Sequence, residues 1–426
     1  MFFFFILILI FLFLIGIPVA ISIGITPVFI MWLFSDQLQI NYSIIAHRLV
    51  GGVDSFVLLS IPFFLLVGKL MNTGGITDRI FNFARGLVGH LKGGLGHVNV
   101  VASLIFSGIT GTAASDVAGL GAVEIKAMEE SGYDTEFAAA ITGASATVGP
   151  IIPPSLPMII YGVLATVSVG RLLIGGLLPG LLLGLLLIIM VAYYANKYDY
   201  PREAKASWSQ RIKLFLEGFP ALLTPVILIG GIFWGAFTPT EAAAVAVLYS
   251  LVLGLITKEL NIRIIWEKLQ EAMLDSAVIG IIIAAAAVYG WFLVRLSIPD
   301  NLVQLVTGVT DSKIVVLLLL NLFFLIIGSF LETIAALTIF VPIVVPVLTT
   351  FQIDPLHFGV VLVFNLMIGL LTPPFGINLF ILSRITGKRV EELIVPVAKF
   401  LGVLIFVLLI ITFIPEIVTW LPTTLM

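Results

Sequence analysis

The sequence of 426 residues contains no cysteine. That excludes disulfides, thiolate nucleophiles, iron–sulfur clusters and thiolate zinc sites. Charge is scarce as well: only 11% of residues are Asp, Glu, Lys or Arg, where a soluble domain carries roughly a quarter. The four histidines (His47, His90, His97 and His357) show no metal-ligand spacing. No phosphate-binding loop, His-x-x-x-His zinc helix or Gly-x-Ser-x-Gly elbow is present, so nothing points to an enzyme or to direct ATP coupling. What remains is apolar: 60% of the chain is hydrophobic and mean hydropathy is +1.21. No aqueous core hides that much apolar surface, so the expected solvent is lipid.

Apolar runs recur along the chain. Spans are expected at about 2–18, 19–35, 51–72, 136–168, 170–196, 218–235, 239–257, 273–296, 356–384 and 394–420, each long enough to cross a bilayer, which takes roughly 20 residues. The first run has no basic start and no small-residue cleavage site, so it reads as retained; Gly16 and Pro18 divide it into two short helices. Two further stretches, 94–130 and 313–350, carry small and polar residues at their centres: Ser107 to Thr112 in one, Gly328-Ser329 and Glu332-Thr333 in the other. A re-entrant hairpin explains each, provided that protein or a water cavity shields the turn.

Charge placement supports the hairpins. If both return to their side of entry, sixteen of the 21 basic residues fall on one face. Arg48, Arg171, Arg295 and Lys313 fall on the other, and Lys69 lies at the end of a span. Basic loops mark the cytoplasmic side, which places both termini outside. Segments 78–92, 202–215 and 258–272 mix basic and apolar residues and read as amphipathic helices on the cytoplasmic surface.

A proline-rich break occurs twice, at Gly149 to Ser155 and at Gly369 to Gly376, at an offset of 220 residues. The same offset relates Gly108 to Gly328 in the two hairpins. Five crossings precede the second half, so the halves are inverted. Paired prolines break a helix, and broken helices in inverted repeats characterise alternating-access transporters. Half-helix N-termini attract anions, and unwound carbonyls with Ser and Thr hydroxyls suit sodium. One sodium site per half is therefore expected. The acids Asp54, Asp116, Glu241, Asp275 and Glu332 fall within apolar segments, where an ionisable group is a functional candidate. Asp116 and Glu332 lie nearest the hairpin tips. Glu241 follows Thr238-Pro239-Thr240 and reads as a helix cap.

These motifs resemble the large membrane subunit of tripartite ATP-independent periplasmic (TRAP) transporters. The likeness covers nearly the whole chain: Asp54 to Phe64, Gly96 to Val100 through Ala118 to Gly121, Gly149 to Ser155, Phe237 to Ala244, and Gly369 to Asn378. The chain is more similar to the versions serving sialic acid than to those serving dicarboxylates. The resemblance implies an all-α polytopic fold of the ion-transporter superfamily, an elevator motion, and location in a bacterial inner membrane. It also implies a small four-helix membrane subunit, a periplasmic substrate-binding protein, an organic-acid substrate and at least two co-transported sodium ions, with no role for nucleic acid. Carried over by motif, sodium site 1 is expected at Ser103, Ser107, Ser145, Gly149 and Pro150, and site 2 at Gly328, Thr333, Gly369 and Thr372. The substrate region is expected around Gly108, Thr112, Asp116, Pro154, Glu332 and Pro374. Segments 1–72, 169–296 and 385–426 would be scaffold, 73–93 an amphipathic arm, and 94–168 with 313–384 the two halves of a transport domain. Two residues depart from the family pattern: Lys69 stands at a neutral position, and Glu332 replaces a shorter acid. The alternatives left open are a permease for C4-dicarboxylates or other carboxylates, a self-sufficient sodium/dicarboxylate carrier, an intramembrane enzyme using Asp116 and Glu332, and a structural scaffold without flux.

Overall fold

A computed structural model describes residues 2–35, 40–73 and 75–425. Residues 1 and 36–39 of the expected N-terminal scaffold, 74 of the arm and 426 of the last scaffold helix lie outside the described residues. Among the described residues the protein is helical throughout, without a strand. Seven helices are long and apolar enough to cross a bilayer, and an eighth crossing is made if a pair bent by 57° at Asp54-Ser55 is one span. The protein is thus a multi-pass membrane protein.

The N-terminal run is two helices, α1 (Phe2–Leu14) and α2 (Val19–Leu33), divided where Gly16 takes φ +82°. The bent pair is α3 (Ser43–Val53) and α4 (Ser60–Met71), joined by a 3₁₀ turn over Phe56–Leu59; this span starts eight residues earlier than the sequence suggests. The arm α5 (Ile76–Val88) is a separate amphipathic helix, tied to the chain ahead of α13 by Arg85–Glu203 at 2.6 Å. The first hairpin region comprises α6 (Gly94–Thr110), α7 (Ala113–Ala118) and α8 (Leu120–Glu130). A broken helix follows, α9 (Thr135–Ala146) and α10 (Leu156–Ala165), then α11 (Val169–Gly175) and α12 (Leu177–Tyr198).

The middle of the chain corrects two expectations. Segments 202–215 and 258–272 are not separate surface helices. Most of each is the N-terminal part of a long helix, α13 (Trp208–Phe233) or α15 (Ile262–Arg295), with α14 (Pro239–Ile256) between them. Charged residues mark where such a helix leaves lipid, but its backbone ladder closes within itself and continues into water. Helix α16 (Ile298–Val309) was not anticipated. The second half has α17 (Lys313–Phe330) and α18 (Thr333–Thr350), a second broken helix α19 (Pro355–Gly369) and α20 (Ile377–Thr386), and α21 (Val390–Phe413) with α22 (Glu416–Leu425). The expected last span is thus interrupted at Ile414-Pro415. By length α17 and α18 count among the seven spans.

Burial separates two kinds of helix. On α12, Leu181, Leu185, Ile189 and Tyr193 are exposed at four-residue spacing, while Gly180, Leu183, Leu187 and Val191 are buried; one face meets lipid and the other meets protein. On α19 every residue from Leu356 to Gly369 is buried, as is every residue of α9 from Phe137 to Ala146. A helix apolar all round belongs at the centre of a bundle. The two broken helices meet there: the Tyr161 hydroxyl on α10 donates to Pro355 O at the start of α19 (2.7 Å), and Gly359 leaves room for the Tyr161 ring. At the polar edge, Lys388 pairs with Glu136 at 2.7 Å, and that carboxylate holds the ammonium above its ordinary pKa.

Candidate functional site

Each hairpin turn contacts the break of the broken helix in its own half. In the first half α9 ends at Ala146 and α10 begins at Leu156. The Ser155 hydroxyl donates to Pro150 O and accepts from Met158 N, so it closes the loop and caps α10. Pro153–Pro154 is a cis peptide. Opposite stands the turn between α6 and α7, where Gly111 takes φ +65°. A Cβ there would lie 2.6 Å from Pro154 O, and one on Gly108 would lie 2.5 Å from Pro225 Cβ. Only a residue without a side chain fits such approaches. Thr112 caps α7 by accepting from Ser115 N, and its carbonyl faces Gly149, 3.6 Å from the Cβ position there.

The second half repeats the arrangement. Helix α19 ends at Gly369, α20 begins at Ile377, and Pro373–Pro374 between them is cis. Gly328, in the last turn of α17, lies directly on Gly369: a Cβ on Gly369 would be 2.4 Å from the Gly328 carbonyl carbon. Phe375 N donates to Ser329 O (3.3 Å), which ties the break to the hairpin. The expected partners Gly328 and Gly369 are therefore in contact, and Gly369 lies three residues before Thr372, whose hydroxyl donates to Ile368 O (2.8 Å).

Buried hydroxyls connect hairpin and broken helix in the first half. Ser103 on α6 donates to Ser145 Oγ on α9 (3.1 Å), Ser145 donates to Asn99 Oδ1 (2.7 Å), and Asn99 Nδ2 donates to Thr142 Oγ1 (2.7 Å). Of expected site 1, Ser103 and Ser145 are thus brought together. Ser107 instead donates to its own helix at Leu104 O, which leaves its lone pairs for another partner. In the second half Asn365 on α19 donates to Asn321 O and Oδ1 on α17 (2.9 and 3.1 Å), and Asn321 donates to Thr412 (2.9 Å). Asn365 lies 220 residues after Ser145, the same offset that relates the breaks. The asparagines are not among the residues expected from the sequence, although an amide within an apolar run is signal enough.

Several buried polar atoms have no hydrogen-bond partner among the described residues: Thr110 Oγ1, Thr333 Oγ1, both side-chain atoms of Asn378, and all four carboxylate oxygens of Asp116 and Glu124. Buried polar atoms are normally paired, and such orphans beside the breaks fit oxygen ligands to a hard cation. Asp116 lies beside Ser103 and close enough to Glu124 for their charges to interact. Glu124 was missed because it stands near Lys126, in what reads as a charged helix end.

The other acids separate by role. Glu332 caps α18, accepting from Ile334 N and Ala335 N (2.9 and 3.2 Å). Glu241 forms a capping box with Thr238, as its sequence context suggests. Asp275 pairs with Lys69 at 2.8 Å.

The match to known proteins spans the fold and both breaks. Residues 6–417 match the family model described as "Tripartite ATP-independent periplasmic transporter, DctM component". The sialic acid TRAP transporter large permease protein SiaM of Vibrio cholerae is 43% identical over 94% of this chain and 94% of its own. The sialic acid TRAP transporter permease protein SiaT of Haemophilus influenzae is 42% identical over 89% of this chain, which spans 62% of that longer protein. The C4-dicarboxylate large permease protein DctM of Vibrio cholerae is 34% identical over 94% of this chain and 92% of its own. The solved YdaH transporter of Alcanivorax borkumensis shares the fold, with a TM-score of 0.62 over 87% of this chain and 86% of that one at 15% identity. The chain therefore belongs to the DctM-component family of tripartite ATP-independent periplasmic transporters.

Proposed function

We propose that the protein is the large permease subunit of a sodium-coupled transporter that takes up sialic acid across a bacterial inner membrane. The observation that carries the substrate is the gap in likeness: 43% identity to a sialic acid permease against 34% to a C4-dicarboxylate permease, each over 94% of this chain. As a large permease subunit it works with a small membrane subunit and with a periplasmic binding protein that delivers the acid.

Sodium coupling rests on the two turn-to-break contacts. Site 1 is assigned to the Ser103–Ser145 pair with Ser107 and the carbonyls near Gly149 and Pro150; the buried Asp116 and Glu124 carboxyls supply further unpartnered oxygens in the same half. Site 2 is assigned to the Gly328–Gly369 contact with Thr333 and Thr372. Gly108, Thr112, Pro154, Glu332 and Pro374 border the substrate between the two sites. The breaks interrupt crossing helices partway along, with 12 and 10 helical residues on either side of the first and 15 and 10 around the second. A hairpin turn that touches such a break lies at the same depth, which favours re-entrant hairpins over full crossings. Segments 94–168 and 313–384 then form the moving domain, and the lipid-facing helices form the scaffold of an elevator.

The test is uptake by cells that lack their own transporters and express this chain with its two partners. N-acetylneuraminate is expected to enter, and excess succinate to compete poorly. Preferential uptake of succinate would replace sialic acid with a dicarboxylate as the substrate.

A further inference from the structure

A cavity of about 430 Å³ lies between the scaffold helices α4 and α15 and the first hairpin, within the roughly 300–1,000 Å³ range of small-molecule sites. The scaffold wall carries Lys69, Lys268, Glu271 and Asp275, and the hairpin wall carries Thr110 and Ser115. The charged wall lies at the cytoplasmic end by the distribution of basic residues, since α4 leads to Arg79 and α15 starts beside Arg263. Gly68 holds the two walls close: a Cβ there would sit 3.4 Å from Thr110 Cα.

Lys69 Nζ lies 2.8 Å from Asp275 and 3.4 Å from Glu271, while Lys268 lies 2.7 Å from Glu271. Two cations and two anions thus balance. The set is unequal, however: Glu271 keeps Lys268 if Lys69 leaves, whereas Asp275 has no other cation within ion-pair reach among the described residues. Asp275 is also half exposed, so water can hydrate it once Lys69 turns away. Ion pairs exposed to this degree are weak. A carboxylate that also accepts hydrogen bonds from Thr110 and Ser115 can therefore displace Asp275 from Lys69. Thr110 Oγ1 is buried and has no partner among the described residues.

We propose that Lys69 is the counter-ion for the substrate carboxylate on the cytoplasmic side, and that Asp275 is its built-in competitor, which takes Lys69 back as the substrate leaves. The inference rests on the reading above that the cargo is an organic acid. Lys69 belongs to the scaffold and Thr110 to the moving hairpin, so the substrate bridges them only while the hairpin faces the cytoplasm. Without Asp275 the ammonium would hold the acid too long; without Lys69 the acid would meet Asp275 unscreened.

The experiment measures N-acetylneuraminate binding to the two-subunit membrane complex in lipid nanodiscs with sodium, together with uptake by the full transporter. Lys69→Gln is expected to weaken binding about fivefold, because a partly exposed charge partner is lost, and Lys69→Arg to stay near wild type. Asp275→Asn should bind more tightly yet turn over more slowly. The double variant Lys69→Gln/Asp275→Asn leaves no unpaired acid to destabilise the fold and should bind as weakly as Lys69→Gln. Wild-type affinity in the double variant, or weakened binding in Asp275→Asn, would mean that the pair is only a strut and overturn the proposal. The wild-type protein tests the cargo separately: if it prefers another carboxylate, the same variants are compared on that acid, and if it binds none, both readings fall.

Discussion

Replacing Gly369 with alanine places a methyl group where the chain of the second hairpin already runs. Its Cβ would lie 2.4 Å from the carbonyl carbon, 2.6 Å from Cα and 2.6 Å from the oxygen of Gly328. All three are backbone atoms, so no side-chain rotation relieves the clash. Restoring van der Waals contact requires the hairpin turn and the break to separate by roughly 1 Å, the kind of overpacking that costs about 1–3 kcal/mol. The separation falls on the contact assigned to sodium site 2. To the extent that sodium must draw the turn and the break back together, that cost is taken from its binding, and about 1.4 kcal/mol is a factor of ten in affinity. Gly328→Ala is the matched comparison. Its Cβ meets Gly369 Cα and Leu366 Cδ2 at 3.3 Å, a conflict of a few tenths of an ångström. Gly402→Ala is the control, because nothing lies within 4 Å of its Cβ position. The assay is the sodium dependence of uptake, normalised to folded protein. The half-saturating sodium concentration should rise strongly in Gly369→Ala, modestly in Gly328→Ala and not at all in Gly402→Ala. Equal sodium dependence in all three would refute the assignment of site 2 to this contact.

Three other outcomes follow from the same geometry. Ser145→Ala removes the hydroxyl that joins Ser103 to Asn99 and should raise the half-saturating sodium concentration, with Thr147→Ala, whose hydroxyl bonds only its own helix, as a near-silent comparison. Asn365→Ala leaves the buried Asn321 amide short of a partner and should cost about 1–3 kcal/mol, read as a lower melting temperature of the purified complex. Ser155→Ala removes the cap of α10 and the bond to Pro150 O; a loss of about 1–2 kcal/mol is expected in the same melt.

The sequence revealed the parts of this protein that obey local rules. Pro150 to Pro154 and Pro373-Pro374 interrupt helices because proline cannot continue them, and both breaks stand where they were expected. Glu241 caps α14 because Thr238 stands three residues before it. The 220-residue offset pairs Gly149 with Gly369, and the structure extends that offset to Ser145 and Asn365. What stayed hidden depends on partners distant in the chain. Lys69 reads as an anomaly until Asp275, 206 residues later, appears beside it. Glu124 looks like a solvated helix end until the fold buries it near Asp116. Glu332 draws attention as an acid in an apolar run, yet its carboxylate is engaged with the first turn of α18. Helices α13 and α15 run past their apolar segments, because hydropathy marks the edge of lipid rather than the end of a helix.

The central claim is that this chain moves an organic acid only as one part of a sodium-driven, binding-protein-dependent assembly. The most direct measurement is uptake of radiolabelled N-acetylneuraminate into proteoliposomes containing this chain, with the small subunit, the binding protein and the sodium gradient each supplied or withheld. Accumulation is expected only when all three are present. Accumulation by this chain alone, or at an undiminished rate without a sodium gradient, would contradict it.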